Sequence, residues 1–412
     1  MNRFSRQFLV FVLIGFWCSP IVLAELPLGS KTFSLSGFGT LGGPYNFDDE
    51  AGFIRDISQP KGARGNGVDW AIDSRLGLQG TWKPREDFSS TLQLVSKYRY
   101  DGSYRPEVTW AFLKYAINPN VQVRAGRLGT DIYLQADSRD VGYAYLWVRP
   151  PVDYFGQLFN SYIDGLDLTA TRGFGDGVLR GKLYAGQLHE TLPGAKGSEY
   201  SLNGSTAVGG HLEYQHLHWL FRVGYAAVRL ENEGSIEPLL NALRSTGVPQ
   251  AVTLAQEMSS AGKHFDIFSA GVAYDNGPLQ SQLMMSHLSS ELAMSSNNTA
   301  GYLSIGYRIG PWTPYLVYSR IKSKDPQYTT GLPNSLPFEA INAGVAQAFS
   351  FNQVNQETFS LGVRYDFAQN ADFKLQLDWI DSRDNPSILW VDPEPDWDGQ
   401  AAVLSATFDF VF

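Results

Sequence analysis

The feature that most restricts the fold is a two-residue alternation of apolar and polar side chains that recurs along the chain up to its last residue. A β-strand sends successive side chains to opposite faces, so this alternation marks strands with one greasy and one polar face. Within Asp69 to Trp82, the residues Trp70, Ile72, Leu76, Leu78 and Trp82 share one face, while Asp69, Asp73, Arg75, Gln79 and Thr81 share the other. Next along the chain, Leu92, Leu94, Tyr98 and Tyr100 oppose Gln93, Lys97 and Arg99, and Val121 and Val123 oppose Gln122 and Arg124. Later segments repeat the pattern: Leu303, Ile305 and Tyr307 against Ser304 and Arg308; Phe359, Leu361, Val363 and Tyr365 against Ser360, Arg364 and Asp366; Phe373, Leu375, Leu377 and Trp379 against Lys374, Gln376 and Asp378.

A soluble sandwich also alternates, so strand length and loop rhythm decide between the two. The segments run roughly ten to fifteen residues, longer than the usual ~5–6 of soluble strands and enough for the ~9–11 of a tilted membrane crossing. Connections alternate short and long. The short ones, such as Lys83-Pro84-Arg85-Glu86, Asn118-Pro119-Asn120, Asp275-Asn276-Gly277-Pro278 and Gln369-Asn370-Ala371, consist of turn residues. The long ones cover 43–68, 127–160, 188–204, 231–263, 324–353 and 384–398, with shorter ones near 101–104 and 291–298. The pattern predicts sixteen strands, near 32–42, 69–83, 87–100, 105–117, 120–127, 160–173, 176–188, 205–216, 217–230, 264–275, 278–291, 299–309, 311–323, 354–368, 371–383 and 399–412. In lipid every backbone amide must be paired, so a sheet crosses only if it closes on itself. The expected fold is therefore all-β: a transmembrane antiparallel barrel of about sixteen strands with short periplasmic turns, long external loops and a polar, aqueous interior.

The N-terminus fits an exported chain. Arg3 and Arg6 precede an apolar stretch from Phe8 to Trp17 and a Val22-Leu23-Ala24 end, the plan of a cleaved signal peptide over 1–24, leaving a barrel over 25–412. The apolar run falls short of the ~20 residues of a membrane anchor. Bulky Trp17 before Cys18 argues against a lipid-anchored start. Cys18 is the only cysteine, so disulfide scaffolds and cysteine chemistry are excluded from the rest of the chain. A formal net charge of −9, more negative still without Arg3 and Arg6, argues against nucleic acid as a partner. No later apolar run is long enough for a transmembrane helix, and the chain is rich instead in aromatics (14%) and glycine (41 residues), which suits long strands and tight turns.

The ending Ala406-Thr407-Phe408-Asp409-Phe410-Val411-Phe412 puts Phe408, Phe410 and Phe412 on one face, and resembles the C-terminal assembly signal of bacterial outer-membrane proteins. Phe33-Ser34-Leu35-Ser36-Gly37-Phe38-Gly39 is similar to the first strand of Gram-negative general porins, and Val121-Gln122-Val123-Arg124-Ala125-Gly126-Arg127 to their fifth. The resemblance implies a Gram-negative outer-membrane location, contact with lipid and lipopolysaccharide, handling of the last strand by the barrel-assembly machinery, a homotrimer, and passive diffusion of small hydrophilic solutes. It suggests no cofactor and no metal. In that family a long third external loop after strand five folds into the lumen. The matching segment here, Leu128 to Phe159, lacks a Pro-Glu-Phe-Gly-Gly stretch and carries Asp140-Val141-Gly142-Tyr143-Ala144-Tyr145-Leu146-Trp147-Val148-Arg149-Pro150-Pro151 instead, which points to a divergent branch.

Function in such a pore is size exclusion and a transverse field. Arg75, Lys97, Arg99 and Arg124 share the inward parity and, with Arg127, form the expected basic wall of the constriction; Lys114 shares that parity if Trp110 and Phe112 face inward. By the resemblance, the in-folding loop opposes them with Asp131, Asp137, Asp140 and Asp153, some of which have Arg139 and Arg149 as local partners. Tyr143, Tyr145 and Trp147 either offer a stacking surface to a solute or pack the loop against the wall. A helical stretch over Ile236 to Arg244 and Pro249 to Met258 is expected in the long loop after strand nine. Inward cations exceed inward acids by parity, which points to a weak anion preference unless the acidic loops reverse it. Two rivals remain. A channel selective for phosphate, a sugar or a carboxylate uses the same architecture. An outer-membrane hydrolase would need Ser286, His287 and Ser289, or His216 and His218, but neighbours in a strand make no triad and no third orienting group is indicated.

Overall fold

The computed structural model describes residues 32–158, 161–194, 199–234, 236–295, 297–382 and 389–412. The expected signal peptide, 1–24, lies outside the described residues. Sixteen strands form one closed antiparallel sheet in which each strand pairs with its neighbours in sequence and the last pairs with the first. They are β1 Phe33–Asn46, β2 Arg75–Arg85, β3 Phe88–Lys97, β4 Glu107–Asn118, β5 Val121–Gly129, β6 Tyr162–Phe174, β7 Gly177–Gln187, β8 Thr206–His216, β9 Trp219–Arg229, β10 His264–Asn276, β11 Leu279–Ser290, β12 Asn298–Tyr307, β13 Trp312–Ser323, β14 Asn355–Ala368, β15 Ala371–Asp381 and β16 Gln400–Val411. Every connection at one rim is a short turn and every connection at the other a longer loop. No helix among the described residues is long and apolar enough to cross a bilayer.

The alternation in sequence becomes the two faces of this wall. Leu76, Leu78, Leu92, Leu94, Leu113, Leu166, Leu168, Leu183, Leu212, Val223, Leu303, Leu316 and Leu361 stand exposed on the outside, where only a lipid environment would cover them. Near the short-turn rim the same face carries a girdle of paired aromatics: Trp82 with Phe88, Phe174 with Tyr214, Trp219 with Tyr274, Trp312 with Tyr365, and Phe367 with Phe408. Amphipathic rings settle at the boundary between hydrocarbon and water. The inner face is polar, with Gln93, Asp167, Lys182, Glu213, Arg222, Ser269, Ser304, Lys374, Gln376 and Asp409 all pointing inside.

Closure is made between β1 and β16. Gly39 lies opposite Phe410, and Gly37 exchanges both backbone hydrogen bonds with Phe412, at 2.8 and 3.0 Å. The Phe412 and Phe410 rings lie over Gly37 and Gly39, so close that a Cβ on either glycine would stand within 2.3–2.4 Å of ring carbon. Phe408, Phe410 and Phe412 form one outward row of rings, with centroids 5.8 and 6.3 Å apart.

Three expectations are corrected. Asp69 to Asp73 is not strand: the Asp69 carboxylate accepts from Ala71 N–H and caps a helical turn, Trp70–Asp73, which leaves Trp70 exposed and Ile72 buried rather than on one face. β3 ends at Lys97, so Arg99 sits above the wall in a turn, where its N–H donates to the Ser103 carbonyl. The loop after β13, expected only as a long connection with no helix assigned to it, holds a helix, Glu339–Phe351. This helix and those at Glu237–Ser245 and Pro249–Met258 share a core of their own over the long-loop rim, with Leu240, Leu243, Leu254, Met258, Val345 and Phe349 buried together.

Candidate functional site: the loop-narrowed lumen

The connection from β5 to β6, residues 130–161, folds inside the barrel. At its base Asp131 accepts from Lys182 Nζ (2.9 Å) on β7 and Arg222 Nη2 (2.7 Å) on β9, and Arg222 also holds Glu213 at 2.7 Å. Burial by itself would raise the Asp131 pKa, but Arg222, Lys182 and His211 outweigh it and hold the carboxyl well below the usual range. The Ile132 carbonyl accepts from Ser269 on β10. Trp147 Nε1 donates to Ser304 Oγ on β12 at 2.7 Å. Asp153, fully buried in the short helix Val152–Phe155, accepts from Ser319 (2.6 Å), Gln356 (2.6 Å) and Thr358 (3.2 Å) on β13 and β14. No cation pairs with it among the described residues, and burial pushes its carboxyl up to about 6.

The tip is fastened on the far side. Arg149 donates to Asp73 (2.6 Å) and Ser405 (2.7 Å) and pairs with Asp378 at 3.3 Å, while Arg55 from the first long loop also holds Asp73 at 3.2 Å. Lys374 on β15 donates to the Gly142 carbonyl at 2.6 Å, and Gly142 passes so close to Thr40 and Asp409 that a Cβ there would collide with both. Arg364 donates to the carbonyls of Tyr143 and Tyr145 at 2.8 and 2.7 Å. The Tyr143 hydroxyl reaches the Gln369 carbonyl in a short turn, so the loop descends the full height of the barrel. Asp140 receives Arg75 Nη1 at 2.9 Å and Lys97 Nζ at 3.1 Å. Although burial raises its pKa, Lys97 and Arg75 reverse the shift and hold it low.

The hydrogen bonds and ion pairs of the loop thus run to β2, β3 and β7 through β16, and none runs to the inward side chains of β4 to β6 among the described residues; that untethered side is the passage. Asp137, exposed on the loop, borders this passage. Facing it on the wall are Lys114 on β4 and Arg124 on β5, register partners, followed by Asp167 on β6. Arg124 holds Asp167 through Nε at 3.0 Å and stacks its guanidinium 4.9 Å from the Phe112 ring centre. Lys114, partly exposed, forms no ion pair among the described residues.

These positions revise the expected constriction. Arg124 and Asp137 stand in the passage. Arg75 and Lys97 both bind Asp140 and with it close the side where the basic wall was expected. Asp131 and Asp153 fasten the loop rather than face solute. Arg99 lies above the wall, 3.5 Å from Glu107. Arg127 does not face the lumen: three residues from Arg124, it falls on the opposite face, with Val123 and Ala125, and pairs with Asp164 at 2.7 Å and the Tyr162 ring at 4.0 Å. An odd spacing along a strand reverses the side. Tyr145 and Trp147 stack on each other, buried against the wall, and offer no surface to a solute. Tyr143 is half-buried under Arg364. Sequence reasoning missed the anchoring role of Arg149, Lys182 and Arg222, whose partners lie 76, 51 and 91 residues away. Ser286 faces inward and His287 outward to Thr299, so the two do not form a relay.

No protein-family model matches the sequence, and no curated protein does. Among solved structures, the Salmonella typhi OmpF complex with daunomycin aligns over 94% of this chain and 100% of its own, with a TM-score of 0.56 and 11% identity. The anion-selective porin from Comamonas acidovorans aligns over 92% and 99%, at 0.53 and 12% identity. The fold is that of the porins. The outer-membrane channel DcaP of Acinetobacter baumannii shares it, over 93% and 99%, at 0.52 and 12% identity. At such low identity the likeness extends to the porin fold: the barrel and its closure. The path of the loop is read from this chain's own contacts.

Proposed function

We propose that this chain is an outer-membrane porin of a Gram-negative bacterium through which small hydrophilic solutes and ions diffuse passively. The observation that carries the reading is the off-centre passage bordered by Asp137 on the loop and by Lys114 and Arg124 on the wall, inside a barrel that is apolar outside and polar within. A charged strip of lumen left open by the loop would conduct by screening size and sign, with no bond made or broken. The neighbours named as porins and channels support it. A leader over 1–24, a homotrimer, contact with lipopolysaccharide, and use of the Phe408, Phe410 and Phe412 row by the assembly machinery belong to the same reading. The separation of Ser286 from His287 speaks against a hydrolase.

The test is single-channel recording in a planar bilayer with refolded barrel. Stepwise current that changes with Arg124→Ala or Asp137→Asn supports the pore. Silence from barrel whose fold is verified by circular dichroism and heat-modifiable mobility overturns it. A solute-selective channel is the second reading, favoured by the charged side chains Lys114, Arg124 and Asp137 on the two sides of the passage; block of the current by one solute class would distinguish it from a general pore.

A further inference from the structure

On the wall that faces Asp137, three side chains line up across adjacent strands. Ser89 on β3 lies opposite Lys114 on β4, and Lys114 opposite Arg124 on β5. All three share the inward face, because Leu113 and Tyr115 on either side of Lys114 stand exposed on the outer wall. Lys114 and Ser89 have no polar side-chain partner among the described residues. Arg124 gives Nε and Nη2 to Asp167 and keeps Nη1 free among them, with its guanidinium flat above Phe112. An ammonium, a hydroxyl and a guanidinium edge therefore converge on one strip of aqueous wall.

The surrounding charges leave this strip positive. Asp167 is taken up by Arg124 and by Lys182, 3.6 Å away. Asp131 and Glu213 are bound to Lys182 and Arg222, and Arg180 stands 3.8 Å from Glu213. Lys83, on the same inward parity nearer the turn, pairs with exposed Glu86. Asp137 is on the loop, across the passage, and turns the field so that an anion is drawn toward the strands and a cation toward the loop.

We propose that Lys114, with Ser89 and the free edge of Arg124, forms a subsite for small oxyanions, a carboxylate or a phosphate, and makes the passage anion-preferring. The inference rests on the pore reading and deepens it. Each donor suits an oxyanion: Lys114 supplies a point charge, Arg124 a directed N–H, and Ser89 a hydroxyl that completes the coordination. The contrast with Arg75 and Lys97 is the partner: both are tied to the Asp140 carboxylate on the loop, whereas Lys114 is tied to none among the described residues.

The experiment measures the reversal potential in a potassium chloride gradient, and then the block of current by inorganic phosphate and by succinate, for wild type, Lys114→Gln, Lys114→Arg and Ser89→Ala. Heat-modifiable mobility verifies the fold of each variant. Wild type is expected to prefer chloride. Lys114→Gln is expected to lower the chloride-to-potassium permeability ratio roughly fivefold, the effect of removing one charge at ~4 Å in water. Block by at least one oxyanion is expected to weaken with it, and Lys114→Arg to restore both. A conducting barrel whose ratio and block are the same in Lys114→Gln as in wild type, or which neither oxyanion blocks, overturns the subsite and leaves the pore standing. Silence of the folded wild type overturns both.

Discussion

At the scale of single residues, the loop is held by a buried carboxyl that has neutral donors only and by a buried cation that has two carboxylates. Asp153 is buried with neutral donors only, and its carboxyl is pushed up to about 6 from an ordinary value of 3.8. For a carboxyl raised in the folded state, the folded form binds more protons between the two values, so stability falls as pH rises from about 4 to about 6 and is flat above. Asp131 and Asp140, held low by their cations, lose their contribution as pH falls below about 4. Wild-type barrel in detergent is thus expected to hold its loop more tightly near pH 4 than at pH 7, read as protection of the loop from protease. Asp153→Asn should remove that slope and protect the loop better at pH 7.5; a slope that survives the substitution refutes the assignment. Arg149 is the converse case, a fully buried cation between Asp73 and Asp378. Arg149→Met leaves two buried carboxylates with less compensation, and loss of one member of such a pair typically costs about 3–5 kcal/mol. Lower thermal stability and faster proteolysis of the loop are expected.

At the scale of elements, the seam between β1 and β16 depends on glycine as much as on phenylalanine. A side chain at Gly37 meets the Phe412 ring on one side and the Gly77 carbonyl, 2.9 Å from the Cβ position, on the other. The ring can turn aside; the backbone of β2 cannot. Gly37→Leu is therefore expected to impair closure, seen as loss of the heat-modifiable band on refolding. Gly67→Leu, where a Cβ meets nothing within 4 Å but φ is +142°, should affect its loop alone. Normal closure of Gly37→Leu would show that the seam has slack.

At the scale of the whole molecule, conductance depends on which part of the lumen the loop leaves open. Asp140 closes the β2 and β3 side by pairing with Arg75 and Lys97. Asp140→Asn removes both ion pairs and frees two cations on the wall. Single-channel recordings are expected to show a higher or more fluctuating conductance with a stronger anion preference. Unchanged conductance and selectivity would mean that apolar contacts of Val141 with Phe38 and Val95 are enough to close that side.

The sequence by itself determined the wall. Alternation is a local property, so Leu92 and Leu94 against Gln93, or Leu375 and Leu377 against Gln376, could be assigned to faces without knowing their neighbours, and turn residues marked where each strand stops. It failed where local chemistry overrode the alternation, as at Asp69, which caps a helical turn, and where the parity was not followed through, as at Arg127. The constriction was legible only in part: Arg124 keeps the inward face and Asp137 the exposed loop position expected of them, but Arg75, Lys97, Asp140, Asp131 and Asp153 were assigned to a passage that they close or brace. Those roles are set by contacts as distant as Arg149 with Ser405, 256 residues apart. Only closure of the barrel brings such strands to opposite sides of one lumen, so only the tertiary structure decides which charges meet across it and which remain free for a solute.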